Sequence, residues 1–396
     1  MANTILNSDV ITNEALRVLH QKCGFVGSIN RQYDDSFAKS GAKIGDSLRI
    51  KYPASYTVRQ TMTRSVQDHV ETNTTLTVSN ISGVDVDWTS QELTMKFDDF
   101  SANHIVPAMA VIAADIESRC LTLAKNAVAQ QANNIGVAAT YRKLLEGRKM
   151  LVDALAPQDS SYACQLNTTD NMELVDALKG QFNSQSTIGK QNNSGYLGNT
   201  AGMDFFENTL LPAHTSGTAA SATGYLSNGV GLTGSTIAVD TGTTTFTAGD
   251  TITFAGVFDV HPETKQTRSN LKQFVVTANA GPSATSLSIS PAIVATGGNK
   301  NVSNAIADNS AITKAAGASV THGISLAYHK DAFTFATADL VMPSGVDMAS
   351  RKVYDGISIS FVRDFDVTSR DFKGRFDVLW GFKDLRPQHA VRLANS

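Results

Sequence analysis

The chain has 396 residues, a formal net charge of -3, 17% charged residues and 42% hydrophobic residues. That length is too great for one simple core and points to two or three domains, and the near-neutral balance excludes a global basic field made for nucleic acid. A charged fraction below the ~25% usual for soluble domains, made up by Thr, Ser, Ala, Asn and Gly, suits a β-rich, heavily contacted protein better than a freely diffusing enzyme.

Residues 1–35 read as an N-terminal arm. Thr12 or Asn13 can cap a helix running through His20, with Gly24 as its stop. Residues 36–90 read as an extended two-stranded ribbon. Leu48, Ile50 and Tyr52 alternate with Arg49 and Lys51, and Val84, Val86 and Trp88 alternate with Asp85 and Asp87. This is the period of half-buried strands, predicted over 47–59 and 74–88. The polar tip between them, Gln60–Asn73, is too long for a tight hairpin turn. A ribbon with so little core of its own needs something to lie on, and a second copy of the chain is the obvious candidate. The glycine-bearing joints Gly41–Gly45 and Gly83 are expected to absorb bending.

The period then changes. Ile105, Met109, Ile112, Ile116, Cys120, Leu123 and Ala127 form one helical stripe, predicting a long helix over about 104–132 with Pro107 in its first turn. A second helix is predicted over 140–155, a short strand over Tyr162–Leu166, and a helix over Met172–Leu178 capped by Thr169 or Asp170. Residues 183–202 read as a surface loop. From Ala213 to about Val320 the composition shifts to Thr, Ser, Ala, Gly and Asn. β-prone runs recur there at 236–239, 243–246, 251–257, 273–277 and 286–289, the pattern of a small all-β barrel or sandwich. Phe246, Ile252, Phe254, Phe258, Phe274 and Val276 supply a core that a disordered tract would lack. Strand-like runs resume at 324–328, 332–336, 357–362 and 377–382. The fold class is therefore α+β with an inserted β module, divided as 1–35, 36–90, 91–137, 138–212, 213–322 and 323–396.

No catalytic constellation holds together. Gly189-Lys190 is followed by Gln191, with no Ser/Thr and no strand leading in, so it is not a phosphate loop. There is no Gly-X-Ser-X-Gly elbow and no His-X-X-X-His pair. His261 before Pro262 reads as a turn residue. Cys23, Cys120 and Cys164 are too few and too dispersed for a disulfide framework, and Cys120 falls on the helical stripe as core. No metal and no cofactor is expected. No apolar run reaches the ~18 residues of a membrane span, and Met1–Val10 does not look like a secretion signal. Asp364 and Asp366 share a face if their segment is a strand. They could hold a cation or do acid–base work, but Arg363, Arg370 and Arg375 lie close by, and surface or interface ion pairing among all five is the better account. The mild basic excess of 351–392 is too small to assign to DNA phosphates.

Several segments carry a resemblance. Ala349-Ser350-Arg351-Lys352-Val353-Tyr354-Asp355-Gly356-Ile357-Ser358 is one, and Asp377-Val378-Leu379-Trp380-Gly381-Phe382 followed by Arg386-Pro387 is another. The inserted module adds Ala248-Gly249-Asp250-Thr251-Ile252-Thr253-Phe254-Ala255-Gly256-Val257 and Val260-His261-Pro262-Glu263-Thr264-Lys265. Met1-Ala2-Asn3-Thr4 and Ser90-Gln91-Glu92-Leu93-Thr94 fit as well. In this order the chain resembles the major capsid proteins of tailed phages. More narrowly, it resembles the P-twenty-two-type coat proteins, which combine the Hong Kong ninety-seven capsid fold with an inserted β-barrel.

The resemblance implies a shell subunit assembling with itself into pentamers and hexamers around a double-stranded DNA genome held non-specifically on the inner face. It implies a separate scaffolding protein, a portal protein and a virion location reached by assembly in the host cytoplasm, leaves decoration proteins open, and implies no membrane. The ribbon would be the extended loop overlying a neighbour, with Arg59, Met62, Arg64, Val66, Asp68, Val70 and Glu71 at the subunit interface. The helix at 104–132 would be the spine of the peripheral domain, and 138–212 the axial domain. The insert would sit on the outer surface and help the monomer fold. Lys43 and Lys51 lie away from the loop tip, which has no Lys, so no covalent crosslinks are expected. The rival classes are a surface adhesin, which needs a secretion signal, and a carbohydrate-active enzyme built on Asp364 and Asp366.

Overall fold

The computed structural model describes residues 8–31, 47–64, 66, 73–89, 101–178, 199–240, 242–354, 356–367 and 371–395. Strands dominate and helices are few, which is the α+β composition the sequence predicts. The chain divides into two compact units. The first holds Met1–Ile50, Thr74–Cys120 and Phe333–Leu385, and the second holds Lys51–Asn73, Leu121–Ala332 and Arg386–Ser396.

The first unit is built around the strand Asp371–Asp384. Its residues 371–380 pair antiparallel with Asn80–Thr89, residues 371–377 with 360–366, and 379–384 with 333–338. Met348–Tyr354 extends the sheet through a hairpin with Ile357–Asp366. Helix α1 (Ser8–Lys22) carries Ile11, Ala15, Leu16, Val18 and Leu19 inward. Ser350 Oγ donates to Asp9 Oδ1 at 2.8 Å, holding the helix start against the sheet. Helix α1 ends at Lys22, just before Gly24, and Gly24 then opens a second short helix, α2 (Gly24–Ser28). Glu117 explains why: its Oε1 accepts from the Phe25 amide at 2.6 Å, satisfying an N-terminal donor from a distant residue.

The long helix α3 runs Val106–Ala127 after a π turn at Ser101–Ile105, five residues short of the predicted end. Pro107 does sit in its first turn. Toward its middle, Asp115 accepts from Ser82 Oγ at 2.5 Å, Trp380 Nε1 donates to Ser82 Oγ at 3.0 Å, and the Arg119 guanidinium lies 5.0 Å over the Trp380 ring. The polar groups around buried Trp380 are thereby satisfied in a chain.

The predicted ribbon is shorter and differently paired. Its first strand ends at Lys51, and Ser47–Lys51 pairs with Asn73–Thr77. Beyond Lys51 the alternation of Tyr52, Ala54, Tyr56 and Val58 continues, but Pro53 lacks an amide to donate. The strand at Asn80–Thr89 leaves the ribbon and joins the sheet. Period-two alternation reports a half-buried strand but not which strand it pairs with. Gly83 is no bending joint either. It lies mid-strand, where a Cβ would collide with Asp377 Oδ1 and come 2.7 Å from the Phe376 carbonyl oxygen. Gly41–Gly45 lie outside the described residues.

The second unit contains a mixed sheet in the order Gln131–Asn133, Ala390–Ala394, Ile324–His329, Tyr162–Leu166, Met203–Glu207, Asn199–Thr200. Helix α4 (Tyr141–Asp153), capped by the Thr140 side chain, packs Leu144, Gly147 and Leu151 on it. Gly147 packs closely there, a Cβ coming 2.7 Å from Leu393 Cδ2, so a larger residue would make the Leu393 side chain shift. Helix α5 (Thr168–Leu178) starts earlier than predicted. Asn167 Oδ1 takes the Thr169 amide at 3.2 Å, while Asp170 is buried and accepts from Ser325 and Asn395 instead of capping. Residues 183–198 lie outside the described residues.

From Ala222 to Lys314 a six-stranded sheet runs in the order 222–226, 311–314, 251–260, 267–276, 286–293, 234–238. Asp240 N donates to Leu226 O and Asn228 N to Ala238 O, both at 3.0 Å, so the first and last strands meet and the sheet closes. Ile237, Phe246, Ile252, Phe254, Phe274, Val276, Leu287, Ile289, Val302, Ile306 and Ile312 fill the interior. Thr243–Phe246 is not a strand but an irregular segment bridged to Ala280. His261 is a turn residue as predicted, its Nδ1 accepting from the Glu263 and Thr264 amides. The ends of this insert are stitched together by antiparallel pairing of His214–Thr215 with Thr321–His322.

Phe254 and Phe274 meet edge-on inside the insert with ring centroids 5.6 Å apart. Phe254→Ala is expected to cost about 3–5 kcal/mol and Phe254→Leu at most about 1.5, measured by urea unfolding of the insert. A loss below 1 kcal/mol for the alanine variant would contradict this packing.

Candidate functional site

The loop after Lys51 carries the first group of predicted interface residues. Tyr56, Val58, Met62 and Val66 stand in solvent, Met62 fully so. Arg59 Nη1 donates to the Met62 carbonyl at 2.7 Å, closing a local turn, and Arg64 is exposed. Asp68, Val70 and Glu71 lie outside the described residues. Exposed apolar side chains on an arm with so little core of its own are groups that a partner can cover.

The second predicted group lies on the sheet of the first unit. Arg363 is buried and donates to Asp347 through Nε at 2.9 Å and Nη2 at 2.5 Å, while its guanidinium lies 4.6 Å over the Phe372 ring. Asp366 pairs with Lys373 at 2.6 Å, and Arg375 with Asp377 at 2.6 Å. Asp364 is exposed and accepts from the Phe365 amide. Arg370 lies outside the described residues. Asp347, Lys373 and Asp377 are therefore the direct partners; Asp347 and Asp377 lie outside the span 363–375, and Lys373 meets Asp366 from the neighbouring strand. Asp364 and Asp366 are not arranged as an acid–base pair: one is solvated and the other is held by a lysine.

A third polar constellation in the second unit was not foreseen. Arg392, on the C-terminal strand, is fully buried. Its Nη1 donates to Gly249 O at 2.7 Å and Lys125 O at 3.3 Å, and its Nη2 donates to Thr251 Oγ1. Thr251 Oγ1 in turn donates to Gln131 Oε1 at 2.9 Å, and Gln131 and Gln273 exchange two hydrogen bonds at 2.8 and 3.0 Å. Beside them Asp250 accepts from the Gly217 and Thr247 amides and contacts His214 Nε2 at 3.0 Å. Lys314 Nζ donates to Gly217 O at 2.7 Å. His322 packs edge-on against His214.

Burial pushes Arg392 down to about 10, Asp250 opposing, so it stays protonated at neutral pH. Burial also pushes His322 down to about 4, with His214 and Arg392 adding repulsion. His214 is lowered too, by burial first, against its bond to Asp250. Asp250 is lowered, its bonds from His214 and the Thr247 amide and the charge of Lys314 outweighing burial. The sequence signal for this hub was weak: His214 and His322 differ by 108 positions, and nothing local marks Arg392 as interior.

Among the described residues no group of three or more His, Cys, Asp or Glu side chains could hold a metal ion. Cys23, Cys120 and Cys164 are buried, and burial raises all three thiols, Cys23 to about 12. Raised thiols do not serve as nucleophiles. Among the described residues no helix is long and apolar enough to cross a membrane.

Residues 7–394 match the family model described as P22 coat protein, gene protein 5. Among solved structures the chain is similar to one from Mycobacterium phage Che8, at 12% identity and a TM-score of 0.45 over 93% of this chain and 90% of that one. It is similar to the capsid of cyanophage P-SCSP1u, at 9% identity and 0.44 over 93% and 86%. It is also similar to the capsid of an empty GTA particle, at 6% identity and 0.44 over 95% and 90%. None of the curated proteins matches.

The buried histidines give the second unit a pH signature. His322 and His389 both sit near 4 when folded, His389 through burial and then Arg386, against an ordinary 6.5. The unfolded chain therefore takes up protons first. Their stabilisation is complete above about 6.5 and is lost as pH falls toward about 4, on the order of 3 kcal/mol for each. Asp170, raised by burial, acts in the opposite direction at the acid end. Urea midpoints are expected to fall steadily from pH 7 to 4.5, and a His322→Leu, His389→Leu variant to show a flatter profile. Parallel profiles would refute the assignment.

Proposed function

Because this chain belongs to the P22 coat protein family, we propose that it builds an icosahedral shell as pentamers and hexamers of itself around packaged double-stranded DNA. A coat protein is a structural component of the virion, and the family is not one of enzymes. The observation that carries the proposal is the family match across residues 7–394, supported by an exposed loop bearing Met62 and Val66 in a chain with a well-packed interior elsewhere. In this proposal the loop, with Arg59, Met62, Arg64, Val66, Asp68, Val70 and Glu71, drapes over a neighbouring subunit. Multiplicity then turns many modest contacts into a persistent shell, each standard-sized patch burying on the order of 1,600 Å². Arg363, Asp364, Asp366, Arg370 and Arg375 lie at or near such contacts in the same proposal, some of them already oriented by partners in their own chain.

The finer partners belong to the same proposal: a separate scaffolding protein during assembly, a portal protein at one vertex, and genome contact on the inner face without base recognition. Assembly takes place in the host cytoplasm. The six segments 1–35, 36–90, 91–137, 138–212, 213–322 and 323–396 act as arm, extended loop, peripheral domain, axial domain, insert and return strands.

Deleting residues 62–72 is expected to leave a folded subunit by circular dichroism but no stable shells by negative-stain microscopy. Intact particles from that variant would contradict the draped-loop role. Boiled, denatured wild-type particles are expected to run as single chains on a gel, since the tip has no Lys to crosslink; ladders would show otherwise.

A further inference from the structure

Residues Lys51–Asn73 fall in the same compact unit as the insert. One close approach stands out within that unit. A Cβ added at Gly298 would collide with the Ser55 carbonyl oxygen, and it would come 2.9 Å from the Ser55 carbonyl carbon and 3.4 Å from the Tyr56 amide nitrogen. This is main chain lying on main chain, which only a residue without a side chain permits. Gly298 has no left-handed φ, unlike Gly297 at +80°. Its own backbone would accept an ordinary residue, and the loop alone forbids one.

The insert presents this glycine on a fixed turn. Asn301 Nδ2 donates to Ala292 O at 2.7 Å, its Oδ1 accepts from Val294 N at 2.9 Å, and its amide donates to Val294 O at 2.9 Å. Lys300 N closes the turn on Gly297 O at 3.2 Å. Ile293 and Val302, on either side, are buried in the insert core. The loop, by contrast, has no strand between Tyr52 and Arg64, and Tyr56 and Val58 are exposed.

We propose that the turn Gly297–Asn301 is a seat for the extended loop of the same subunit, holding Ser55–Tyr56 before any second copy arrives. An anchored loop samples fewer conformations, so less ordering remains to be done when it meets a neighbour. The insert thereby has a role in presenting the loop in addition to any role in folding. The seat itself is a property of the lone subunit; its consequence for shell assembly rests on the function proposed above.

The test uses the unassembled full-length subunit and limited trypsin digestion at the exposed residues Arg59 and Arg64. Gly298→Val should wedge the loop off, and cleavage after both arginines should accelerate roughly fivefold or more. Gly281→Ala, also in the insert but with nothing within 4 Å of the added methyl, should digest like the parent. Thermal unfolding of the insert should be the same in all three. Unchanged cleavage in a folded Gly298→Val subunit overturns the proposal. Should that variant fail to fold, a benzoyl-phenylalanine photocrosslinker at position 56 of the otherwise unaltered subunit decides. An intrachain link to the peptide 293–302 is expected by mass spectrometry, and its absence overturns the seat. Both readouts concern the lone subunit, so their failure is separable from failure to form shells.

Discussion

The guanidinium of Arg392 is the constraint around which the second unit is organised. It sits on the C-terminal strand with no exposure to water, and its donors reach the carbonyl of Lys125 near the end of α3, the carbonyl of Gly249 and the hydroxyl of Thr251. A helix C-terminus carries partial negative charge, which suits a cation there. Removing one partner of a buried charge typically costs 3–5 kcal/mol, because the other is left desolvated and unpaired. The C-terminal strand, the end of the long helix and the insert strand Thr251–Val260 are therefore fixed in one register or not at all. No local propensity could achieve this, since the three segments are far apart in the chain.

The rest of the junction follows from that charge. Gly249 has φ +100° and a close neighbour on each side: a methyl there would come 2.8 Å from Asn126 Oδ1 and 3.0 Å from His214 Cε1. Asp250 can then turn inward, take two backbone amides and sit beside His214. The stem strands His214–Thr215 and Thr321–His322 pair directly, so the insert leaves and re-enters at one point. An insert whose ends meet disturbs its host little, and a closed sheet leaves it no free edge to pair with other chains. Its polar, low-charge composition is compatible with solubility because its apolar residues point into one closed interior.

Periodicity made the long segments legible. The stripe from Ile105 to Ala127 located α3, and the spacing in 141–153 located α4, each to within a few residues. Its failures are equally physical. Alternation over 74–88 gave one strand and assigned it to the ribbon, whereas the chain forms two, Asn73–Thr77 in the ribbon and Asn80–Thr89 in the sheet, because pairing is decided by tertiary contact and leaves no local trace. The short strands Gln131–Asn133, Ala390–Ala394 and Ala311–Lys314 were missed, since three to five residues carry too few periods to register. Gly24 read only as the stop of α1 and not as the start of α2, because Glu117, the acceptor at that start, lies far along the chain. Among the candidate site residues, the exposed loop side chains were visible as polar, aperiodic sequence. The Arg392 hub was not, because a buried arginine and a surface arginine look the same in one dimension.

The contrast between hub and loop explains why a shell protein would bury charge at all. Apolar residues of similar volume often hold a junction as well as a buried ionic group does, or better. They would also let strands slide by a residue or a helix rotate with little penalty, and a subunit placed many times in one closed surface cannot tolerate alternative dockings of its own parts. Hydrogen-bonded groups with fixed directions, such as the Gln131–Gln273 pair and the Arg392 fork, penalise every register but one. Adaptability is then left to segments outside that network, and the exposed run from Val58 to Arg64 is the clearest of these among the described residues. Rigidity concentrated in the interior and freedom confined to an arm is the division of labour that lets one sequence occupy slightly different surroundings without remodelling its core.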